Sequence, residues 1–246
     1  MKTRVFSILA VLALGTVISV GVALPRRFLP LPEPHKASEL VYEEFMGKYR
    51  KEVKTSFVRD DDGDIEIDMT PRTLGTFLDR LDKWDMSDAQ MRDLYRWHHQ
   101  YAPTDRVEEE MHNVRVRGWL KAIKYEEYDE SGGDAEGDND FHIILSKYRY
   151  ANSKERFLNV EISGLPEDDG EDRETIRESR AQIAEILGDV NLPAGRYYKP
   201  TPPIRVEIEG SLYFDGSHYP GGVGPAGMRP KTVWEIHPVS SIEEVE

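Results

Sequence analysis

Residues 203–245 read PIRVEIEGSLYFDGSH, then YPGGVGPAGMRPK, then TVWEIHPVSSIEEV. In the first part Ile204, Val206 and Ile208 alternate with Arg205, Glu207 and Glu209, which is the period of a half-buried strand. Gly210 interrupts that strand where a bulge lets the chain turn a barrel corner, so Leu212 and Phe214 continue the buried set in a shifted register. Thr232 to Val239 is a second strand, expected to stop near Pro238. The two form a hairpin with a long glycine-rich connection, and this hairpin decides the fold class.

Upstream, the chain takes strand character from Met111. Val114, Val116, Leu120 and Ala122 lie on one side of a first strand, Phe141, Ile143 and Leu145 on one side of a second, and Leu158, Val160 and Ile162 on one side of a third. A helix over 173–187 follows, with Ile176, Ile183 and Leu187 inward and Gly188 as its stop. The order strand, strand, strand, helix, strand, strand is that of the five-stranded OB barrel. The predicted class is α+β, an OB-like β-barrel over 111–246 preceded by a helical extension over 37–110. In that extension Ser38 is a candidate N-cap for Leu40, Val41, Phe45 and Tyr49 at helical spacing. Thr70 and Pro71 open a second helix with a Leu74, Phe77, Leu78, Leu81 stripe, and Ser87 with Gln90 opens a third.

The first 25 residues stand apart. Lys2 and Arg4 precede an uncharged run from Val5 to Ala23, 19 residues long, and residues 26–36 are a proline-rich spacer. The run has the form of a secretory signal, and its length approaches the ~20 residues that span a bilayer, so a retained anchor at 5–23 is the alternative. Either reading expects the body of the protein in the periplasm or outside the cell, with the membrane met only through this segment. The chain has no cysteine, so its stability rests on its core and not on disulfides. Its formal net charge of −14 disfavours nucleic acid as a partner, since no basic run is segregated from the acids.

The acidic loop over 125–140 fails the EF-hand template, which demands a glycine sixth and a glutamate twelfth, and is expected to be solvated. The glycines over 221–227 lack the Lys-Ser/Thr ending of a P-loop and lead into a strand. One constellation remains: Asp140-x-His142, Asp215-x-x-His218 and Glu235-x-His237. In an OB barrel the loops after strands one and four share the ligand-binding side. Asp140, His142, Asp215 and His218 are therefore the candidate metal ligands, with a divalent metal as the one cofactor the set would take. Glu235 is the candidate general base, and Tyr213 and Trp234 the aromatic ligand-binding residues beside them. Counting ~3.3 Å per residue along the last strand puts His237 ~16 Å from the loop end, too far to share that ion.

The segments GDNDFHIIL, GSLYFDGSH and TVWEIHPVSSI resemble a set of uncharacterised, mostly exported bacterial proteins with a DxDxH strand, a GxxFFDxxH segment and a closing EIHPV. The likeness covers about 112–245. It carries over Asp138, Asp140 and His142, then Gly210, Phe214, Asp215 and His218, then Glu235, Ile236, His237, Pro238 and Val239; Tyr213 stands where that set has a second phenylalanine. The resemblance implies that these residues act together, without naming a reaction. Two functions are expected of such a chain. One is an exported binding module for a small molecule, a saccharide or an envelope protein. The other is a metal-dependent hydrolase such as a phosphodiesterase or nuclease, using Asp140, His142, Asp215, His218 and Glu235.

Overall fold

The computed structural model describes residues 33–84, 106, 108–129, 137–150, 152, 154–218 and 220–246. Five strands close into a barrel: β2 (Asn113–Glu126), β3 (Asp140–Ser146), β4 (Phe157–Ile162), β6 (Ile204–Phe214) and β7 (Trp234–Glu244). A two-stranded ribbon of β1 (His35–Lys36) and β5 (Asn191–Leu192) stands beside it. Around the barrel the order is β2-β3-β4-β7-β6, antiparallel throughout except for β4 beside β7, and closure leaves none of the five with a free edge. Three helices complete the described chain: α1 (Lys51–Lys54), α2 (Leu74–Trp84) and α3 (Glu171–Leu187). Among these residues no helix is long and apolar enough to cross a membrane, and the run at 5–23 lies outside them.

The period-two residues fill the barrel. Val114, Val116, Phe141, Ile143, Leu145, Leu158, Val160, Ile162, Val206, Ile208, Leu212 and Phe214 meet there, joined by Trp234, Ile236, Val239 and Ile242 from the last strand. Ile183 and Leu187 of α3 and the Leu74, Phe77, Leu78, Leu81 stripe of α2 extend the same core. Gly188 ends α3, its N–H donating to the carbonyl of Ala184.

Gly210 sits at the expected irregularity, with register shifts on both sides of it. A Cβ there would lie 2.4 Å from the Pro238 carbonyl oxygen, so the close approach of the two strands requires glycine. The same bulge explains why β7 runs on to Glu244 instead of stopping at Pro238. Gly210 pairs with Val239 and Leu212 with Ile236, so Pro238, which has no N–H, falls where the ladder is already interrupted.

Two other expectations are corrected. The register of β2 slips between Leu120 and Ala122, which turns Ala122 to the outer face to pack with Ile144 and Phe157, while Ile123 and Tyr125 continue the core. The helix expected from Ser38 to Tyr49 does not form. A 3-10 turn at Ala37–Glu39 gives way to extended chain whose Phe45 N–H donates to Leu165 O (2.8 Å) and whose Glu43 O accepts from Leu165 N–H (2.9 Å). Pairing with a distant strand end satisfies this backbone, which overrides its helical spacing. The helix expected from Ser87 lies outside the described residues.

This N-terminal stretch forms a cover over one outer wall of the barrel. Arg180 of α3, fully buried, donates to the carbonyls of Leu40, Asn139 (3.0 Å) and Ser163 (2.7 Å), and Arg50 donates to Phe214 O (3.2 Å) while holding both oxygens of Glu110 at 2.6 Å. The hydroxyl of Ser163 donates to Lys54 O. Strands β3 and β4 are consequently buried on both faces.

Candidate functional site

The side chains that alternate with the core residues point at this covered wall. They are Glu126 from the end of β2, Asp140 and His142 from β3, Asn159 and Glu161 from β4, Tyr213 from β6, and Glu235 and His237 from β7. The pairing of His142 with Glu161, of Val160 with Ile236 and of Tyr213 with Glu235 sets them side by side.

Contacts run through them without a break. The Oδ1 of Asp140 accepts from the Gly164 N–H (2.6 Å), and its Oδ2 lies 3.3 Å from His237 Nε2. His237 Nδ1 faces Glu161 Oε2 at 3.0 Å and Glu235 Oε1 at 3.3 Å. The other oxygen of Glu161 lies 2.9 Å from His142 Nδ1, and His142 Nε2 lies 3.0 Å from Glu126 Oε2. Asn159 ties the middle together, its amide donating to Glu161 (2.6 Å) and Glu235 (2.7 Å). Lys54 from the cover places its ammonium 2.9 Å from Asp138 Oδ2.

Among the described residues two sets of three groups could each gather one cation: Glu126, Asp138 and His142, and Asp140, Glu161 and His237, each with ligand atoms within 4.8 Å of one another. The first set opens on a cavity of about 300 Å³ that is also lined by Tyr49, Lys54 and His218. His142 Nε2 and Asp140 Oδ2 are buried with no hydrogen-bond partner among the described residues; the Glu126 oxygen near His142 Nε2 lies at ion-pair distance without hydrogen-bond geometry. Asp140 is not exposed at all, so its unpartnered Oδ2 is a costly atom, while His142 Nε2 has the Glu126 charge beside it.

The charges settle by neighbourhood. Burial opposes a charge on His142, but Glu161 and Glu126 outweigh it and hold the imidazole well above its ordinary value. Burial would raise Glu161, yet His142 and His237 draw it well below the usual carboxylate range. Burial lowers His237, the pull of Glu161 notwithstanding. Burial together with the neighbouring acids, first Asp138 for one and Glu161 for the other, raises Asp140 and Glu235 well above that range. One carboxylate between two imidazoles thus supports one cation and leaves the other ring neutral. At the rim Asp215, whose burial is outweighed by its bond to His218, is held low, and His218 is raised in turn.

Of the residues singled out in sequence, Asp140 and His142 fall into different sets, the first with His237 and the second beside the cavity. Asp215 and His218 pair with each other: Asp215 Oδ2 meets His218 Nδ1, and its Oδ1 accepts from the Ser217 N–H (2.9 Å) and hydroxyl. His237 is not distant from the others but 3.3 Å from Asp140, because the parallel pairing of β4 with β7 carries the polar wall down the strands instead of confining it to the loop end. Glu235 is buried between Asn159 and His237. Tyr213 is fully buried, its ring 5.3 Å from that of His237 and 5.0 Å from the Arg50 guanidinium. Trp234 turns into the barrel core against Phe214. Glu161, Glu126, Asn159 and Lys54 were not singled out. The signal for Glu161 was present in FLNVEI, where Asn159 and Glu161 alternate with the core residues, but such a face is ordinarily solvated. No family model matches the chain, and no curated protein does.

Proposed function

We propose that the chain is a cation-dependent hydrolase whose site occupies the covered outer wall of an OB-like barrel. Counting only barrel strands, the order first, second, third, fifth, fourth, with a helix between the third and fourth, supports the OB-like reading. One observation carries the function: two histidines, each with Nδ1 held by a carboxylate, line one cavity with Glu126 and Asp138. Glu161 at Nδ1 of His142 fixes the ring, the usual outer-shell arrangement of a ligating histidine, and a metal would take Nε2 in exchange for the proton that the two acids hold on the ring. Three protein ligands with an open side toward a cavity is the form of a catalytic rather than a structural centre. A divalent ion there would serve as a Lewis acid on a substrate oxygen. Its two charges would be balanced by Glu126 and Asp138, and those of Lys54 and Glu161 by each other. Asp215 orients His218, which takes the general-base role expected of Glu235 from the sequence. Lys48, an exposed residue of the same lining with no carboxylate partner among the described residues, favours an anionic ester, phosphodiesters included.

The test is titration of chelator-treated protein with Mn²⁺ and Zn²⁺ by calorimetry, alongside hydrolysis of bis(4-nitrophenyl) phosphate. One ion should bind, His142→Ala should abolish binding, and Glu161→Gln should weaken it ~10–100-fold. Failure of any divalent ion to bind stoichiometrically would remove this reading. The second reading is then a non-enzymatic binding module for a small molecule, saccharide or envelope protein, favoured by the ammonium of Lys54 already seated on Asp138. Both readings keep the exported location expected from residues 5–23, periplasmic or extracellular, with a membrane tether if that segment is retained.

A further inference from the structure

At the far end of β3 from the cavity, the connection to β4 begins Lys147, Tyr148, Arg149, Tyr150. The Arg149 guanidinium lies 5.1 Å from the ring centre of the half-buried Trp119 and 5.5 Å from that of Tyr150, which is 69% exposed. Arg205, from the start of β6, brings a second guanidinium to 5.8 Å from the same indole, and Lys147 stands 5.4 Å from the Tyr148 ring. Both arginines are exposed, and among the described residues neither has a carboxylate within the 4.0 Å ion-pair distance.

A lone solvated arginine needs no explanation. Here, however, the chain carries 46 acids against 32 bases, and Arg59, Arg115, Arg117, Arg156, Arg173 and Arg177 all engage a carboxylate. Arg72, Arg196 and Arg229 also lack a carboxylate partner among the described residues; what sets Arg149 and Arg205 apart is that they converge on one indole and make a local cationic surface. Stacking on aromatic faces holds their planes while leaving the N–H donors outward, where they match phosphate oxygens. Tyr150 offers an exposed ring beside them on which a flat base can stack.

We infer that Trp119, Arg149, Tyr150 and Arg205 form a binding surface for single-stranded nucleic acid. The surrounding acids select the single strand. A duplex, stiff and twice as charged along its length, must lie against the acidic surface beyond the patch, whereas a flexible strand of a few nucleotides meets the patch alone. This surface does not depend on the hydrolase reading, and the experiment is arranged so that the two fail separately.

Fluorescence anisotropy of a labelled oligothymidylate of about eight nucleotides, in chelator so that no cation-dependent chemistry intervenes, measures it. The parent should bind at ~50 mM salt, lose affinity as salt rises, and bind a hairpin duplex more weakly. The Arg149→Glu, Arg205→Glu double variant should lose about tenfold or more in affinity, consistent with two phosphate contacts removed, with its melting temperature kept because both side chains are exposed. Tyr150→Ala should weaken binding without changing its salt dependence, since it removes stacking and no charge. The inference is overturned if the parent does not bind, if the double variant binds as tightly as the parent, or if heparin or polyglutamate binds as well as the oligonucleotide.

Discussion

Replacing Glu161 by glutamine keeps the shape of the side chain and removes the one negative charge shared by two imidazoles. The carboxylate is 1% exposed and takes contacts from His142 at 2.9 Å, His237 at 3.0 Å and the Asn159 amide at 2.6 Å. A glutamine keeps one accepting oxygen and no charge, so the His142 imidazolium loses the group that balances it. Breaking a buried charged pair this way costs about 3–5 kcal/mol. For a domain of this size, at about 2–4 °C per kcal/mol, the melting temperature should fall roughly 6–20 °C. The pH dependence adds a signature. His142 is raised in the folded state, so its contribution is complete below its ordinary value and is lost as pH rises through the folded one. Glu161 is depressed, so its contribution is complete above its ordinary value and is lost as pH falls through the folded one. The gap between parent and variant should therefore be widest between about pH 4.3 and 6.5 and narrow on both sides. Thermal melts across pH, with His142→Gln completing a double-mutant cycle, measure it, and the coupling should be about 1–3 kcal/mol. A variant melting within about 2 °C of the parent at pH 6, with an unchanged pH profile, would refute the shared-carboxylate account.

Gly210→Ala places a Cβ 2.4 Å from Pro238 O and 2.7 Å from Ile236 Cγ2, so the strands must part; a loss of about 1–3 kcal/mol should lower the denaturant midpoint at constant slope. Asp215→Ala should cost about 1–3 kcal/mol, because the carboxylate anchors Ser217 as well as His218, whereas His218→Ala leaves that buried carboxylate its two bonds from Ser217 and should cost less. Equal losses in melting experiments would contradict the division into anchor and working residue. An alkaline phosphatase fusion after residue 40 should be active in cells, as export through residues 5–23 requires, and an inactive fusion would place the chain in the cytoplasm.

The barrel strands were legible because each buries alternate residues, and Gly210 marked its bulge because a strand interior otherwise has no use for glycine. Helix α3 declared itself through Ile176, Ile183, Leu187 and its glycine stop. What escaped has physical causes. A slip of one residue after Leu120 reverses which side chains face the core, and nothing local signals it at Lys121. The stretch 40–49 has helical spacing, but its backbone finds partners at Leu165, more than a hundred residues away. His237 was passed over because a distance counted down its own strand misses the parallel neighbour that brings it beside Asp140, and Glu161 because a polar face opposite a core face normally meets water. Only the tertiary placement of Lys54, Arg50 and their neighbours shows that this one does not.

The cover lies far along the chain from the wall beneath it, and farthest from its last strand. Arg50 reaches the Phe214 carbonyl across 164 positions, and Arg180 reaches Leu40 across 140. A ribosome therefore makes the cover well before His237. Through most of synthesis the segment around Lys54 has no surface to lie on, and β3 and β4 expose Asp140, His142 and Glu161 to water, where their charges cost little. The polar wall becomes a low-dielectric one only when β7 arrives beside β4 and the N-terminal segment settles over both. The unusual protonation states of the site thus wait for the last of its strands, and a chain truncated before residue 234 never has them.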